Sequence, residues 1–117
     1  MKLRIAGQSL RVRISEEELE TLRGERLLEQ RTTFPNGAVF RVSLEVAEVT
    51  RGREEDDRIG VTWWGEQVLI RLSTDVAETL KKQGPARDNG ITVEIPTKDG
   101  KPLRVSLQLD LAARAGK

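Results

Sequence analysis

The stretch at residues 2–24, "KLRIAGQSLRVRISEEELETLRG", decides the fold class. Leu3 and Ile5, then Leu10, Val12 and Ile14, fall on every second residue, with Lys2, Arg4, Arg11 and Arg13 between them. A period of two marks strands with one apolar face. Gly7 and Gln8 join the two runs, and glycine supplies the positive φ that a two-residue hairpin turn needs. From Ser15 the period changes. Ser15 and Glu18 form a capping box, Leu19 and Leu22 give a buried stripe, and Glu16 to Glu18 suit the positive end of the helix dipole. Gly24 is expected to close this helix. The unit is strand, strand, helix.

Outward from this unit, residues 26–34 read as a strand, "PNG" (35–37) as a hairpin turn, and 39–49 as a long alternating strand. "RGREEDDR" (51–58) is a charged linker. Residues 59–64 and 67–72 form a second hairpin about Gly65 and Glu66. "STDVAETLKKQG" (73–84) is a second helix, capped by Ser73 or Thr74 and ended by Gly84. Residues 91–97 and 102–109 flank "KDGK", with Pro96 hinting at an edge strand. Residues 111–117 are a tail.

The order strand, strand, helix, strand, strand thus occurs twice. Gly7, "RIS" (13–15) and "ETL" (20–22) return 58 positions later as Gly65, "RLS" (71–73) and "ETL" (78–80). "NG" (36–37) and "RVSLEV" (41–46) return 63 positions later as "DG" (99–100) and "RVSLQL" (104–109). The five-residue slip falls in the loop after the second helix, where insertion costs little. Residues 1–117 are therefore expected to form one domain of two repeat halves, 1–50 and 58–110, related by a pseudo-twofold and sharing a core, since so short a half hardly stands alone. Convergence of two similar units on the same turns is the alternative. The fold class is α+β: mainly antiparallel sheet of up to eight strands, with two short helices. The strands either close into a barrel or pack as two sheets.

Composition narrows the chemistry. Cysteine, histidine and tyrosine are all absent, so disulfides, thiolate zinc sites and His-activated nucleophiles are excluded. Proton transfer would fall to Asp, Glu or Lys with strongly tuned pKa values. No catalytic motif is visible, and no cofactor or metal is expected. "EEDD" (54–57) lacks the spacing of a calcium loop and reads as solvated linker. With no apolar run of about 18 residues and no signal peptide, a soluble cytoplasmic protein without a membrane partner is expected.

The opening "MKLRIAGQSLRVRISEEELE", the segment "TTFPNGAVFRVSLE" and the later "VLIRLSTDVAETL" resemble a family of small, uncharacterised bacterial proteins. Its members open Met-Lys-Ile-Arg-Ile-Lys-Gly-Asn-Ser-Ile-Arg. They end Asp-Phe-x-Cys-Leu, where this chain has Asp110, Leu111, Ala112 and Ala113. The resemblance implies a short cytoplasmic bacterial protein and carries no activity.

The net charge is only +1, yet the cations are not scattered. Lys2, Arg4, Arg11, Arg13, Arg41, Arg71 and Arg104 all project opposite the apolar side of their strands, with Glu45 and Glu94 as the acidic exceptions. Arginine forks suit phosphate and carboxylate, so the candidate anion-binding face is Arg4, Arg11, Arg13, Arg41, Arg71 and Arg104, for nucleic acid or phosphorylated ligands. In a closed barrel the same row would line the interior. The competing reading is a solvated face whose arginines pair with neighbouring carboxylates. Trp63 and Trp64 are adjacent in a strand and point to opposite sides; alternation puts Trp63 in the core and Trp64 on the arginine side, where it could stack on a base or form an edge or dimer contact. The sequence favours a non-catalytic interaction domain, self-associating or with a protein partner, through a sheet edge or Trp64. Anion binding is the alternative. A phosphate-handling enzyme ranks third and needs a carboxylate such as Glu45 among the arginines.

Overall fold

The computed structural model describes residues 1–47, 58–84 and 90–110. Along the chain run β1 (Lys2–Ala6), β2 (Ser9–Ile14), α1 (Glu16–Glu25), β3 (Leu27–Thr33), β4 (Val39–Val46), β5 (Ile59–Trp64), β6 (Gln67–Leu72), α2 (Thr74–Gln83), β7 (Ile91–Ile95) and β8 (Leu103–Leu109). These are the eight strands and two helices that alternation and capping predict, and the fold is α+β. The acidic "EEDD", all of the charged linker but Arg58, and the tail lie outside the described residues.

The strands form two open four-stranded sheets rather than a barrel. One has the order β1-β2-β8-β7 and the other β3-β4-β6-β5; they are called here the β1 sheet and the β5 sheet. The outer pairs are antiparallel hairpins, while the central pairs β2·β8 and β4·β6 run parallel. Each sheet therefore joins a hairpin that precedes one helix to the hairpin that follows the other. Each helix is the crossover between sheets: α1 leads from β2 to β3, and α2 from β6 to β7.

The two offsets read in the sequence are also the offsets of strand pairing. Adding 58 to β2 and subtracting 63 from β8 turns Ser9↔Arg104 into Gln67↔Arg41, and Ile14↔Leu109 into Leu72↔Val46. The hairpins follow: Arg4↔Arg11 becomes Thr62↔Leu69. The same offset of 58 relates the ion pairs between the helices. Arg23 Nη2 lies 3.1 Å from Glu78, and Lys81 Nζ lies 2.7 Å from Glu20. Residues 20 and 78, and 23 and 81, are counterparts.

Alternation places the core. Leu10, Val12 and Ile14 of β2 and Val105, Leu107 and Leu109 of β8 face inward. They merge with Leu44 and Val46 of β4, Val68, Ile70 and Leu72 of β6, and Leu19, Leu22, Val76, Ala77 and Leu80 of the helices in one cluster. Each buried Val, Leu or Ile contributes about 1.5–3 kcal/mol of transfer free energy. Both sheets turn one face to this shared core, so their outer faces are separate surfaces.

The end of α1 differs from the reading. Gly24 does not close it; the helix continues to Glu25, and Arg26 takes the left-handed conformation at φ 66°. The Arg26 amide donates to the Leu22 carbonyl at 2.8 Å. Burial of Leu22 and the start of β3 at Leu27 fix where the chain must reverse, whichever residue falls there. The counterpart in α2 is Gly84, at φ 74°, as expected. A left-handed non-glycine residue costs about 1–2 kcal/mol.

Candidate anion-binding face

Residues directly opposite one another in a sheet share a face, so register places each of the seven cations. On the outer face of the β1 sheet, Lys2 stands opposite Arg13 and Arg4 opposite Arg11. Arg104 joins them from β8, opposite Glu94 of β7 and Ser9 of β2. Arg41 and Arg71 lie on the other outer face, that of the β5 sheet. The single row of seven cations expected from alternation is thus divided, five on one surface and two on the other. Alternation says which side of its own sheet a residue takes; it does not say which sheet.

The two surfaces differ in how these seven cations are compensated, although Arg31 of β3 also stands opposite Arg41 on the β5 sheet. On the β5 sheet, Arg71 Nε lies 3.4 Å from Glu45 Oε1, and Arg41 Nε lies 3.9 Å from Glu29 Oε2. Glu45 therefore sits with Arg71, away from the larger cluster. On the β1 sheet, Lys2 pairs with Asp110 at 2.8 Å. Among the described residues, the Arg4, Arg11 and Arg104 side chains have neither an ion pair nor a hydrogen bond.

Arg13 shows the contrast within one structural position. Arg13 and Gln108 are the counterparts of Arg71 and Glu45, and each pair faces across the same parallel register. Arg13 Nε reaches Gln108 Oε1 at 3.4 Å, the same separation as in the ion pair on the other sheet. The geometry is kept while the carboxylate is replaced by an amide. Gly90 helps to seat Gln108: its φ is +145°, and a Cβ built there would lie 2.6 Å from Gln108 Cγ and 2.9 Å from the Leu107 carbonyl.

Lys2, Arg4, Arg11 and Arg13, with Leu3, line a surface groove of about 180 Å³. Four of its five lining residues are cationic. Long flexible cations around such a depression can converge on one anionic group, and arginine can do so with two parallel N–H donors.

The tryptophans lie elsewhere. Trp64 shares the outer face of the β5 sheet with Arg71, not the groove. Trp63 is on the core side of its strand, opposite Val68, yet it is 60% exposed. This corrects its assignment to the core: it stands near the end of an outermost strand, past the buried cluster, and its neighbour is Phe40, ring centres 5.7 Å apart. The four aromatic residues of the chain are Phe34, Phe40, Trp63 and Trp64. None belongs to the β1 sheet.

No helix among the described residues is long and apolar enough to cross a membrane. Among curated proteins and among solved structures, no match to the chain was found. The model of a family of unknown function, DUF7009, matches residues 1–113, and the chain belongs to that family.

Proposed function

From membership of a family without an assigned activity, we propose that the protein is a non-catalytic binding domain whose β1 sheet holds anionic groups on its outer face. Arg4, Arg11 and Arg13 are the ligands, with Lys2 and Arg104 at the margins. The observation that carries this reading is the pairing of like charges, Lys2 with Arg13 and Arg4 with Arg11, around one groove. Like charges directly opposite in a sheet oppose folding. An anion from outside relieves that repulsion, and no described carboxylate reaches Arg4 or Arg11. Because the aromatic residues lie off this face, recognition is of charge. Nucleic acid would be held by its phosphates rather than by base stacking. Arg41 and Arg71, each near a carboxylate, are not part of the site.

The opening block and the resemblance it carries support a bacterial cytoplasmic origin. The shared offsets support descent of the halves 1–50 and 58–110 from one duplicated unit.

The test is fluorescence polarisation of labelled single-stranded RNA and DNA against the protein at low and moderate salt. Saturable binding that weakens steeply with salt, disappears in Arg11→Ala and persists in Arg71→Ala is the expected result. Equal binding by both variants, or none even at low salt, would overturn the reading.

A further inference from the structure

Among the described residues each sheet ends in two outermost strands, and three of the four carry residues that discourage further pairing. β1 has Lys2 and Arg4, β3 has Glu29 and Arg31, and β7 has Glu94 with Pro96 just beyond it. Charges and proline are the usual protection of a sheet edge. β5, Ile59–Trp64, reads "IGVTWW" and has neither. It also exposes two of the largest apolar side chains, Trp63 at 60% and Trp64 at 51%. An uncharged outermost strand with exposed tryptophans is a template for another strand.

The strand fits itself. We propose that β5 pairs antiparallel with β5 of a second copy, in the register that sets Thr62 opposite the partner's Thr62. In that register Trp63 faces the partner's Val61, and Trp64 faces the partner's Gly60. Each pairing stays on one face, because residues 61 and 63 lie on the core side of β5 while 60, 62 and 64 lie on the outer side. The pairs are of favourable kinds: threonine with threonine, aromatic with β-branched, and aromatic over glycine. Gly60 is exposed, and no atom lies within 4 Å of where its Cβ would be, so the partner's Trp64 ring has room to lie there. A shift of one residue would set core-side positions against outer ones. A shift of two would set Trp64 against Arg58, outside the strand, or carry the pairing into the turn at Gly65. The result is a continuous eight-stranded sheet across the twofold, within the ordinary range of sheet sizes. The pairing is independent of the anion-binding face, which belongs to the other sheet.

Light scattering coupled to size-exclusion chromatography tests this on the full chain. The wild type is expected at twice the chain mass of 13.1 kDa. Thr62 is exposed, so Thr62→Lys and Thr62→Glu are expected to fold, and circular dichroism checks it. Each alone places like charges opposite each other and should halve the mass. Mixed in equal amounts they should restore the doubled mass, because position 62 faces itself. The chain has no cysteine, so Thr62→Cys introduces the only thiol, and oxidation should yield a reducible covalent dimer. A wild type that stays at the single-chain mass at every concentration would overturn the proposal. So would a dimer that survives both charge variants, or one that Val61→Cys cross-links in preference to Thr62→Cys.

Discussion

Arg4 and Arg11 stand directly opposite each other in the β1·β2 hairpin, and among the described residues neither side chain has a carboxylate or a hydrogen-bond partner. Their counterparts in the β5 sheet are Thr62 and Leu69, paired in the same register. One architecture is thus built twice, once with two guanidinium groups at this position and once with none. Two guanidinium groups at this position are therefore not a requirement of the strand pairing.

Replacing one of them by its opposite should therefore stabilise the chain while destroying the site. Arg4→Glu converts repulsion into an ion pair worth about 0.2–1 kcal/mol, which raises Tm by a few degrees in a domain of this size. Anion binding should fall to background in the same variant. Thermal melts and fluorescence polarisation on one preparation read both effects. A lowered Tm with binding retained would contradict the account of this pair.

Gln108 gives a finer test, because the β5 sheet shows what a carboxylate does there. Gln108→Glu copies Glu45 and offers Arg13 an internal partner, so affinity for a polyanion should drop several-fold with little change in Tm. Glu45→Gln makes the reverse exchange and frees Arg71 on the opposite surface, where weak new binding should appear. If Gln108→Glu binds as the wild type does, Arg13 is not a ligand of the anion.

Much of this was legible in the chain. Period two, the glycine turns and the capping box located the elements, and the offsets of 58 and 63 proved to be the offsets of the pairing as well. What the pattern could not supply was partnership between distant strands. Nothing in "RVRI" (11–14) says that its second neighbour is β8, nor that Arg41 and Arg71 belong to a different sheet. Trp63 failed for a related reason. Alternation fixed its side correctly, but exposure depends on what lies above a side chain, and above Trp63 the core has ended.

The helix caps differ in a way that mutation can separate. At α1, Ser15 Oγ accepts from the Glu18 amide at 3.0 Å, and Glu18 Oε1 accepts from the Ser15 amide at 2.9 Å. At α2, Ser73 is the N-cap by position, but its buried hydroxyl has no hydrogen-bond partner among the described residues, and the counterpart of Glu18 is the buried Val76. Ser15→Ala should cost about 1 kcal/mol. Ser73→Ala removes a polar atom that was already unsatisfied and should be close to neutral. Denaturant unfolding of the two variants decides it, and equal losses would refute the distinction.

Glu18 also links the fold to pH. Its Oε2 accepts from the Met1 ammonium group at 2.5 Å while Oε1 holds the Ser15 amide. Partial burial pushes the carboxyl pKa up, but the hydrogen bond from the Met1 ammonium, then those from Ser15, outweigh it and leave the pKa below 4.5. A carboxylate with a depressed pKa in the folded state stabilises most above its unfolded value. That contribution is lost as pH falls through the lower folded value. Stability should therefore decline from about pH 5 downward, with Glu18 responsible for part of the slope. In Glu18→Gln that part should vanish, leaving a less stable protein whose acid limb is shallower than that of the wild type. Tm measured across this range for both proteins checks it. Curves that run parallel would mean the carboxylate carries no proton linkage to folding. Acetylating the Met1 amine supplies the complementary evidence: it removes the positive charge while leaving the capping box, so the acid limb should flatten while the helix remains.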